Sequence, residues 1–149
     1  MSDECNQKHW SRGHKLLCTG HITDEDAENS PLMNFKIHAC ATNEIFLLVA
    51  DLFSNICCEV DRMRSEGNLD EKEIITAALF PYSTFVRNPW WEVAIPSRTG
   101  DASSPEESPE QFAATLQQLV HDSWDMLEKV LDLNSRGLSE ILCKDYMAR

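Results

Sequence analysis

Apolar residues recur at helical spacing along much of this chain, most regularly over residues 43–66. The positions that repeat at i, i+3, i+4 and i+7 in this segment are Val49, Leu52, Phe53, Ile56, Val60 and Met63. The opposite positions are polar, namely Asp51, Asn55, Glu59 and Arg62. This pattern is typical of an amphipathic helix with one face in a core. Residues 45–50 are apolar on every side, which predicts that the first turns are buried all round, and Gly67 is expected to end the helix.

Capping residues mark where other helices begin. Ser30 precedes Pro31, and serine can accept hydrogen bonds from the free amide groups of a first turn, where proline is also tolerated. Asp70 and Glu73 have the spacing of a capping box, in which each side chain bonds the backbone of the other. We therefore predict a helix after Ser30 and a shorter one over residues 70–79.

Residues 98–107 differ from the rest of the chain because they are polar and contain glycine and proline. Such a segment buries too little apolar surface to offset the entropy of ordering, so we expect a flexible linker. A second capping box follows at residues 108–111, and the apolar pattern after it predicts a helix to about residue 133. Another helix is expected over residues 138–147, after Gly137.

Strand patterns are weak throughout, so the chain is predicted to be all-α, with an irregular array of five or six helices. Residues 80–95 are crowded with aromatic side chains, which are Phe80, Tyr82, Phe85, Trp90 and Trp91. These could form an aromatic cage around a methylated lysine. We favour a hydrophobic plug between helices, because tryptophans beside apolar residues mostly fill space.

The charge of the chain argues against broad contact with nucleic acid. The formal net charge is −12, which a phosphate backbone would repel. Lys8, Arg12 and Lys15 make the N-terminal segment locally basic, and we interpret them as solvated neighbours of a metal site. The sequence has no apolar stretch of membrane-spanning length and no secretory signal pattern. A nuclear or cytoplasmic location is therefore expected, with the six cysteines kept reduced.

Two pairs of adjacent residues contain reactive side chains, but their spacing argues against a disulfide in one pair and against a joint catalytic role in the other. Cys57 and Cys58 are neighbours in sequence, and such a pair strains to form a disulfide, so we expect both to pack as small apolar side chains. His121 and Asp122 are also adjacent, which places them on different faces of a helix. They are expected at the surface.

Thiol and imidazole groups crowd together only in the first eighteen residues, which contain Cys5, His9, His14 and Cys18. A histidine and a cysteine separated by three residues is a spacing that zinc sites use. In a regular helix, His14 and Cys18 would share one face, whereas Cys5 would face away from His14. The segment could therefore give one ligand to one metal ion and two to another, without completing either tetrahedral site.

The same segment resembles the C-terminal half of a MYND zinc finger. The residues that match its pattern are Ser2, Glu4, Cys5, Trp10, His14, Lys15 and Cys18. A MYND finger holds two zinc ions with eight ligands, and the resemblance implies that Cys5, His14 and Cys18 are the sixth, seventh and eighth. Met1 stands where the fifth is expected. The resemblance thus implies zinc, with incomplete sites and little zinc affinity in this chain.

Two later segments, ATNEIFLLVADLF at 41–53 and NPWWEVA at 88–94, extend the resemblance to MYND-bearing SET-domain proteins, which include plant trithorax-related SET proteins. That family implies protein lysine methylation with S-adenosylmethionine in the full-length parent, often on histones, with chromatin proteins as partners. SET enzymes need an N-H-x-C segment and a catalytic tyrosine near the C-terminal end. This sequence has no Asn-His pair, and neither Tyr82 nor Tyr146 lies in such a context. No catalytic or cofactor-binding residue is therefore expected here.

We divide the chain into a partial finger at 1–18, a helical insert at 19–97, the linker at 98–107 and C-terminal helices at 108–149 that lead towards a SET core. A start inside a finger and an end inside a helix suggest a piece of a longer product, which supplies structure and partner contacts to a methyltransferase. Two other interpretations remain open. One is a stand-alone helical or MYND-type adaptor without enzymatic activity, and the other is a first helix whose cysteines and histidines are incidental.

Overall fold

The computed structural model describes residues 7–8, 10–85, 88–94 and 108–147, so the predicted linker lies outside the described residues. Within these ranges the chain is helical and contains no strand. The α-helices are α1 Lys15–Leu17, α2 Asp24–Asn29, α3 Pro31–Thr42, α4 Ile45–Glu66, α5 Glu71–Leu79, α6 Trp90–Val93, α7 Pro109–Leu131 and α8 Lys144–Met147. A π-helical turn, Trp10–His14, precedes α1, and a 3-10 turn, Phe80–Tyr82, follows α5.

The prediction of an all-α fold is confirmed. Of the eight helices in the described ranges, α1, α6 and α8 are short turns of three or four residues. Helices α3, α4, α5 and α7 are the longer ones that apolar periodicity or capping signals reveal, whereas the six residues of α2 are almost all polar and carry no such pattern, which is why the predicted count was smaller. None of the described helices is both long enough and apolar enough to cross a lipid bilayer.

The helix ends follow the capping signals in the sequence. The hydroxyl of Ser30 accepts a hydrogen bond of 3.3 Å from an amide in the first turn of α3. Asp70 and Glu73 bond each other's backbone at the start of α5, as a capping box requires. The second capping box, at residues 108–111, opens α7. Helix α4 ends at Gly67, whose left-handed backbone has a φ of 67°, a conformation that glycine adopts without a steric penalty.

The hydrophobic core forms around α4. Its buried face carries Phe53, Ile56 and Val60, each no more than 2 % exposed, and α7 contributes Leu127 and Leu131. Helix α3 packs along α7, α5 packs against α4, and α6 packs against α7. Removing these apolar side chains from water is the main favourable term in folding. Helices α3 to α8 therefore share one core.

The first turns of α4 are buried on one side only, which corrects the expectation for residues 45–50. Phe46 and Ala50 are 2 % and 1 % exposed, whereas Ile45 and Leu48 are 42 % and 67 % exposed. Successive residues of a helix point about 100° apart, so neighbours that cover one face leave the next residue in contact with solvent. An apolar composition alone did not decide which side the neighbours would cover.

The predicted helix over residues 138–147 is wrong for its first part. Turns occupy residues 138–143, and the helix comprises only Lys144–Met147. Leu138 and Leu142 are fully buried, and the Leu142 amide donates a hydrogen bond of 2.8 Å to the Leu138 carbonyl oxygen. The stretch therefore makes a single helix-like turn with its leucines in the core, and this turn does not continue directly into Lys144–Met147.

The aromatic segment divides into a packed half and an exposed half. Trp90 and Trp91 pack against the core, and Trp90 meets Phe46 edge-on with 5.9 Å between the ring centroids. These two tryptophans therefore fill space between helices, as the interpretation of a hydrophobic plug expected. Phe80 and Phe85, in contrast, are 73 % and 58 % exposed, so they do not fill space between helices.

Candidate metal-ligating segment

The N-terminal segment that carries predicted metal ligands is not a regular helix. In the π-helical turn Trp10–His14, Gly13 has a φ of 134° and a ψ of −27°. The helix that follows ends before Cys18, whose backbone is extended at φ −88° and ψ 119°. The irregular Gly13 lies before His14, whereas His14 and residues 15–17 are helical and Cys18 is the C-cap, so the step from His14 to Cys18 remains one helical turn. Only the comparison of Cys5 with His14, which runs across Gly13, assumed a regular helix that is absent here. The irregularity has a packing cause, because Gly13 is buried against α4.

The helical body holds this segment from two sides. The turn around Gly13 packs against α4, and Lys36 Nζ on α3 donates a hydrogen bond of 2.8 Å to the carbonyl oxygen of Leu17. On the outer side, the rings of Trp10 and His14 meet edge-on with 5.7 Å between their centroids. The segment is therefore part of the packed fold, with its aromatic rings towards solvent.

The predicted ligands are only partly described. Cys5 and His9 lie outside the described residues, His14 is exposed, and Cys18 is a half-buried free thiol. Among the described residues, no group of three or more histidine, cysteine, aspartate or glutamate side chains is placed to hold a metal ion. Imidazole and thiolate are donors that zinc prefers, but a tetrahedral site needs four. The described residues alone thus do not complete a zinc site.

The adjacent thiols of α4 are packing residues, as the sequence indicated. Cys57 and Cys58 are 0 % and 5 % exposed and are not joined in a disulfide. Burial raises the pKa of Cys57 to about 12, with the guanidinium of Arg136 acting in the opposite direction. Burial also raises the pKa of Cys58. Since the thiolate is the nucleophile and the metal ligand, neither group is prepared for such chemistry at neutral pH.

One exposed cluster was not foreseen from the sequence. Lys144 Nζ of α8 lies 3.1 Å from Asp125 Oδ1 and 2.8 Å from His121 Nε2 on α7. The i, i+4 spacing of His121 and Asp125 was visible, but nothing indicated that Lys144 would join them. Asp122 instead accepts a hydrogen bond of 2.7 Å from Gln118, and His121 and Asp122 are both exposed, as expected. The cluster ties α8 to α7.

A histidine and a serine also meet inside the fold. His38 Nε2 lies 2.9 Å from Ser123 Oγ, although the two residues are 85 positions apart, so the sequence carried no signal for this contact. A serine hydroxyl beside a histidine ring is also the pairing of nucleophile and general base that some enzymes use. Ser123 is 0 % exposed, however, and a substrate cannot reach its hydroxyl group. The contact is therefore structural.

No protein-family model and no solved structure matches this chain. A curated relative does match, and it belongs to the class of histone-lysine methyltransferases. This relative is Histone-lysine N-methyltransferase ATXR2 of Arabidopsis thaliana, which is 30 % identical over 136 residues. The match covers 85 % of this chain but 27 % of the relative. The chain is thus distantly related to a histone-lysine methyltransferase and spans about a quarter of its length, which confirms the expected relationship at this coarse level.

Proposed function

We propose that this chain supplies the helical region of a SET-domain protein lysine methyltransferase, which methylates histones in the nucleus with S-adenosylmethionine. The observation that carries the proposal is the extent of the similarity to the Arabidopsis methyltransferase. Because the match covers 85 % of the chain, at most the outer 15 % lies beyond it, and α3 to α6 fall within it wherever it begins. The similarity thus reaches well beyond the cysteine- and histidine-bearing segment into the packed core.

In this proposal the helical body acts as a scaffold and a partner-binding element, and other parts of the parent enzyme carry the methyl transfer. Its core is continuous from Phe35 on α3 to Met147 on α8, which suits a scaffold. Phe80 and Phe85 are large, exposed aromatic side chains, and aromatic residues are enriched at protein interfaces. Histone or chromatin proteins are the partners we propose.

We further propose that Cys5, His14 and Cys18 form the tail of a MYND-type zinc finger. The donor types support this proposal, since imidazole and thiolate are the usual ligands of structural zinc. Zinc would supply a structural cross-link, with its remaining ligands contributed by residues that this sequence does not contain. Zinc affinity of this chain alone is then expected to be low, because three ligands divided between two sites leave each site open.

A chimera tests the role of the helical body. The segment of the Arabidopsis methyltransferase that matches this chain is replaced by this chain, and transfer of labelled methyl groups from S-adenosylmethionine to histones is measured. We expect the chimera to retain activity and the isolated chain to have none. In the chimera, Phe53→Ala should reduce activity strongly, because emptying a buried phenylalanine site costs about 3–5 kcal/mol. Leu48→Ala, at an exposed apolar residue of the same helix, is the matched control for folding.

Two outcomes would contradict this function. One is methyl transfer by the isolated chain that a single substitution in it abolishes. The other is a chimera that folds, by circular dichroism and proteolysis, yet has no activity. The second outcome would favour the alternative function, a helical interaction adaptor with no role in methylation, which the exposed rings of Phe80 and Phe85 also support.

The zinc proposal has its own measurement. Metal content is determined by mass spectrometry for the isolated chain and for the chimera, each with Cys18→Ser and with Cys40→Ser, an exposed thiol on α3. We expect Cys18→Ser to lower the zinc content of the chimera and Cys40→Ser to leave it unchanged. Tight stoichiometric zinc in the isolated chain, lost in Cys18→Ser, would contradict the expectation of incomplete sites.

A further inference from the structure

Gly13 lies in direct contact with the backbone of α4. Its φ of 134° is a backbone conformation that L side chains rarely adopt. A methyl group at this position would stand 2.6 Å from Ser54 Oγ and 2.9 Å from the backbone nitrogen of Asn55, distances well inside van der Waals contact. Both the local backbone and the facing helix therefore require glycine. At Gly20 the φ is also positive, at 60°, but a methyl group would meet no heavy atom within 4 Å.

The segment around Gly13, residues 10–17, covers one face of α4, and we call it the docked segment. Ser54 and Cys58 are four positions apart, hence on one face of α4, and they are 0 % and 5 % exposed. The positive charge of Lys15 opposes the effect of burial on the pKa of Cys58, so the docked segment lies within electrostatic range of this thiol. Its far end is held by the hydrogen bond of Lys36 to the carbonyl of Leu17.

We propose that Gly13 is the positioning residue that seats the docked segment on the Ser54–Cys58 face of α4. When a side chain at position 13 prevents the close approach, the docked segment separates from the helical body and uncovers Cys58. The docked segment includes His14 and leads directly to Cys18, so the seating also determines where these two side chains stand relative to the helical body. Only this last consequence rests on the proposed zinc finger, because the seating itself requires no metal.

The test compares Gly13→Ala with Gly20→Ala in the full chain without metal. Alkylation by N-ethylmaleimide under native conditions, followed by peptide mass spectrometry, gives the labelling rate of Cys58, with the exposed Cys40 as internal reference. In the wild-type chain, Cys58 should react far more slowly than Cys40. Gly13→Ala should raise the Cys58 rate about tenfold or more, since labelling of a covered thiol follows the population of the open form. Gly20→Ala should leave the rate unchanged.

A second substitution checks that the close approach is the cause. Ser54→Ala removes the atom nearest to a methyl group at position 13 and should restore part of the protection of Cys58 in the Gly13→Ala chain. A general loss of stability would not be relieved by a further truncation. Equal Cys58 rates in Gly13→Ala and Gly20→Ala would overturn the proposal, and so would the absence of any relief in the double variant.

If circular dichroism shows that Gly13→Ala does not fold, the labelling experiment is carried out with Lys36→Met instead. It removes the hydrogen bond to Leu17 and leaves the core of the helical body intact. Cys58 labelling should then rise while Cys57, which is fully buried, stays protected, and an unchanged Cys58 rate would overturn the proposal. Neither zinc nor methyl transfer enters these measurements, so a failure here is distinguishable from a failure of the proposed function.

Discussion

The imidazole Nε2 of His38 lies 2.9 Å from the hydroxyl oxygen of Ser123, and this hydrogen bond joins α3 to α7. Ser123 is fully buried, and the His38 ring stacks on Phe46 with 6.3 Å between the ring centroids. A buried polar group costs free energy unless it is hydrogen-bonded. The pair therefore helps to specify how two helices far apart in sequence meet.

Ser123→Ala is expected to lower the free energy of unfolding by about 1–2 kcal/mol, because His38 would keep a ring nitrogen in the interface without its partner. Urea titration followed by circular dichroism measures the change. Gln117→Ala, on the exposed side of α7, is the control and should remain close to wild type. Equal losses in the two variants would argue that the contact contributes nothing specific.

Arg136 connects the turn after α7 to α4. Its guanidinium pairs with Asp61 and donates a hydrogen bond of 2.8 Å to the carbonyl oxygen of Leu131. Its own carbonyl oxygen accepts a hydrogen bond of 2.8 Å from Arg64. Arg136→Met should lower the free energy of unfolding by about 1–2 kcal/mol, since the Leu131 carbonyl loses a donor from a guanidinium that is only 21 % exposed and Asp61 loses its ion pair.

Arg62→Met is the matched control for Arg136→Met. Arg62 also contacts two carboxylates, those of Glu59 and Glu66, but its side chain is 51 % exposed. Ion pairs in such surroundings contribute little, because water and salt screen them. The two variants are compared by urea denaturation at the same ionic strength, because urea is uncharged and does not screen ion pairs as guanidinium chloride does. A loss for Arg62→Met as large as that for Arg136→Met would contradict the distinction.

Cys57 should make the fold sensitive to alkaline pH. Burial raises the pKa of its thiol from 9.0 to about 12. Above pH 9 the unfolded chain releases this proton while the folded chain retains it, so stability that is fully present at neutral pH is lost as the pH rises from about 9 towards 12. One group with such a shift contributes a slope of about 1.4 kcal/mol per pH unit.

Cys57→Ala should therefore show a flatter decline of unfolding free energy between pH 9 and pH 10.5 than the wild-type chain. Cys40→Ala, which removes an exposed thiol, should keep the wild-type slope. The measurement is a set of urea titrations at half-unit pH steps. A slope in Cys57→Ala that equals the wild-type slope would show that ionisation of Cys57 is not resisted by the fold.

The capping box of α5 offers a local test. Asp70 accepts a hydrogen bond of 2.9 Å from the Glu73 amide, and Glu73 accepts one of 3.1 Å from the Asp70 amide. Asp70→Ala should lower the free energy of unfolding by about 1 kcal/mol, because a first-turn amide loses its acceptor. Asn68→Ala, two residues before the N-cap Asp70, should have a smaller effect. Thermal unfolding of both variants decides whether the cap matters.

Local signals proved sufficient for the starts of α3, α5 and α7. The hydroxyl of Ser30 and the carboxylate of Asp70 bond amide groups only a few positions away, so the partners are present in the sequence window itself. Burial of individual side chains was harder to predict from the sequence. Ile45 and Leu48 are as apolar as Phe46, yet they remain exposed, because burial depends on which side another helix covers.

The candidate metal-ligating segment also combines features that the sequence predicts with one that only the tertiary structure reveals. Its residue types and spacing indicated zinc chemistry around His14 and Cys18 before any geometry was known. The sequence did not reveal that Gly13 would press against Ser54, since glycine has no side chain whose pattern could signal the contact. That close approach breaks the helix before His14, so the regular helix that the comparison of Cys5 with His14 assumed is interrupted, while His14 to Leu17 stay helical.

By itself, the amino-acid sequence determined the all-α class, the starts of α3, α5 and α7 and the relationship to a histone-lysine methyltransferase, because capping, periodicity and similarity are properties of short or aligned stretches of chain. Only the tertiary structure decided that Ser123 would meet His38, that Arg136 would meet Asp61 and that Leu133 and Leu142 would both be buried. These contacts join residues that the sequence separates, and they form because all of the helices must cover one shared core at the same time.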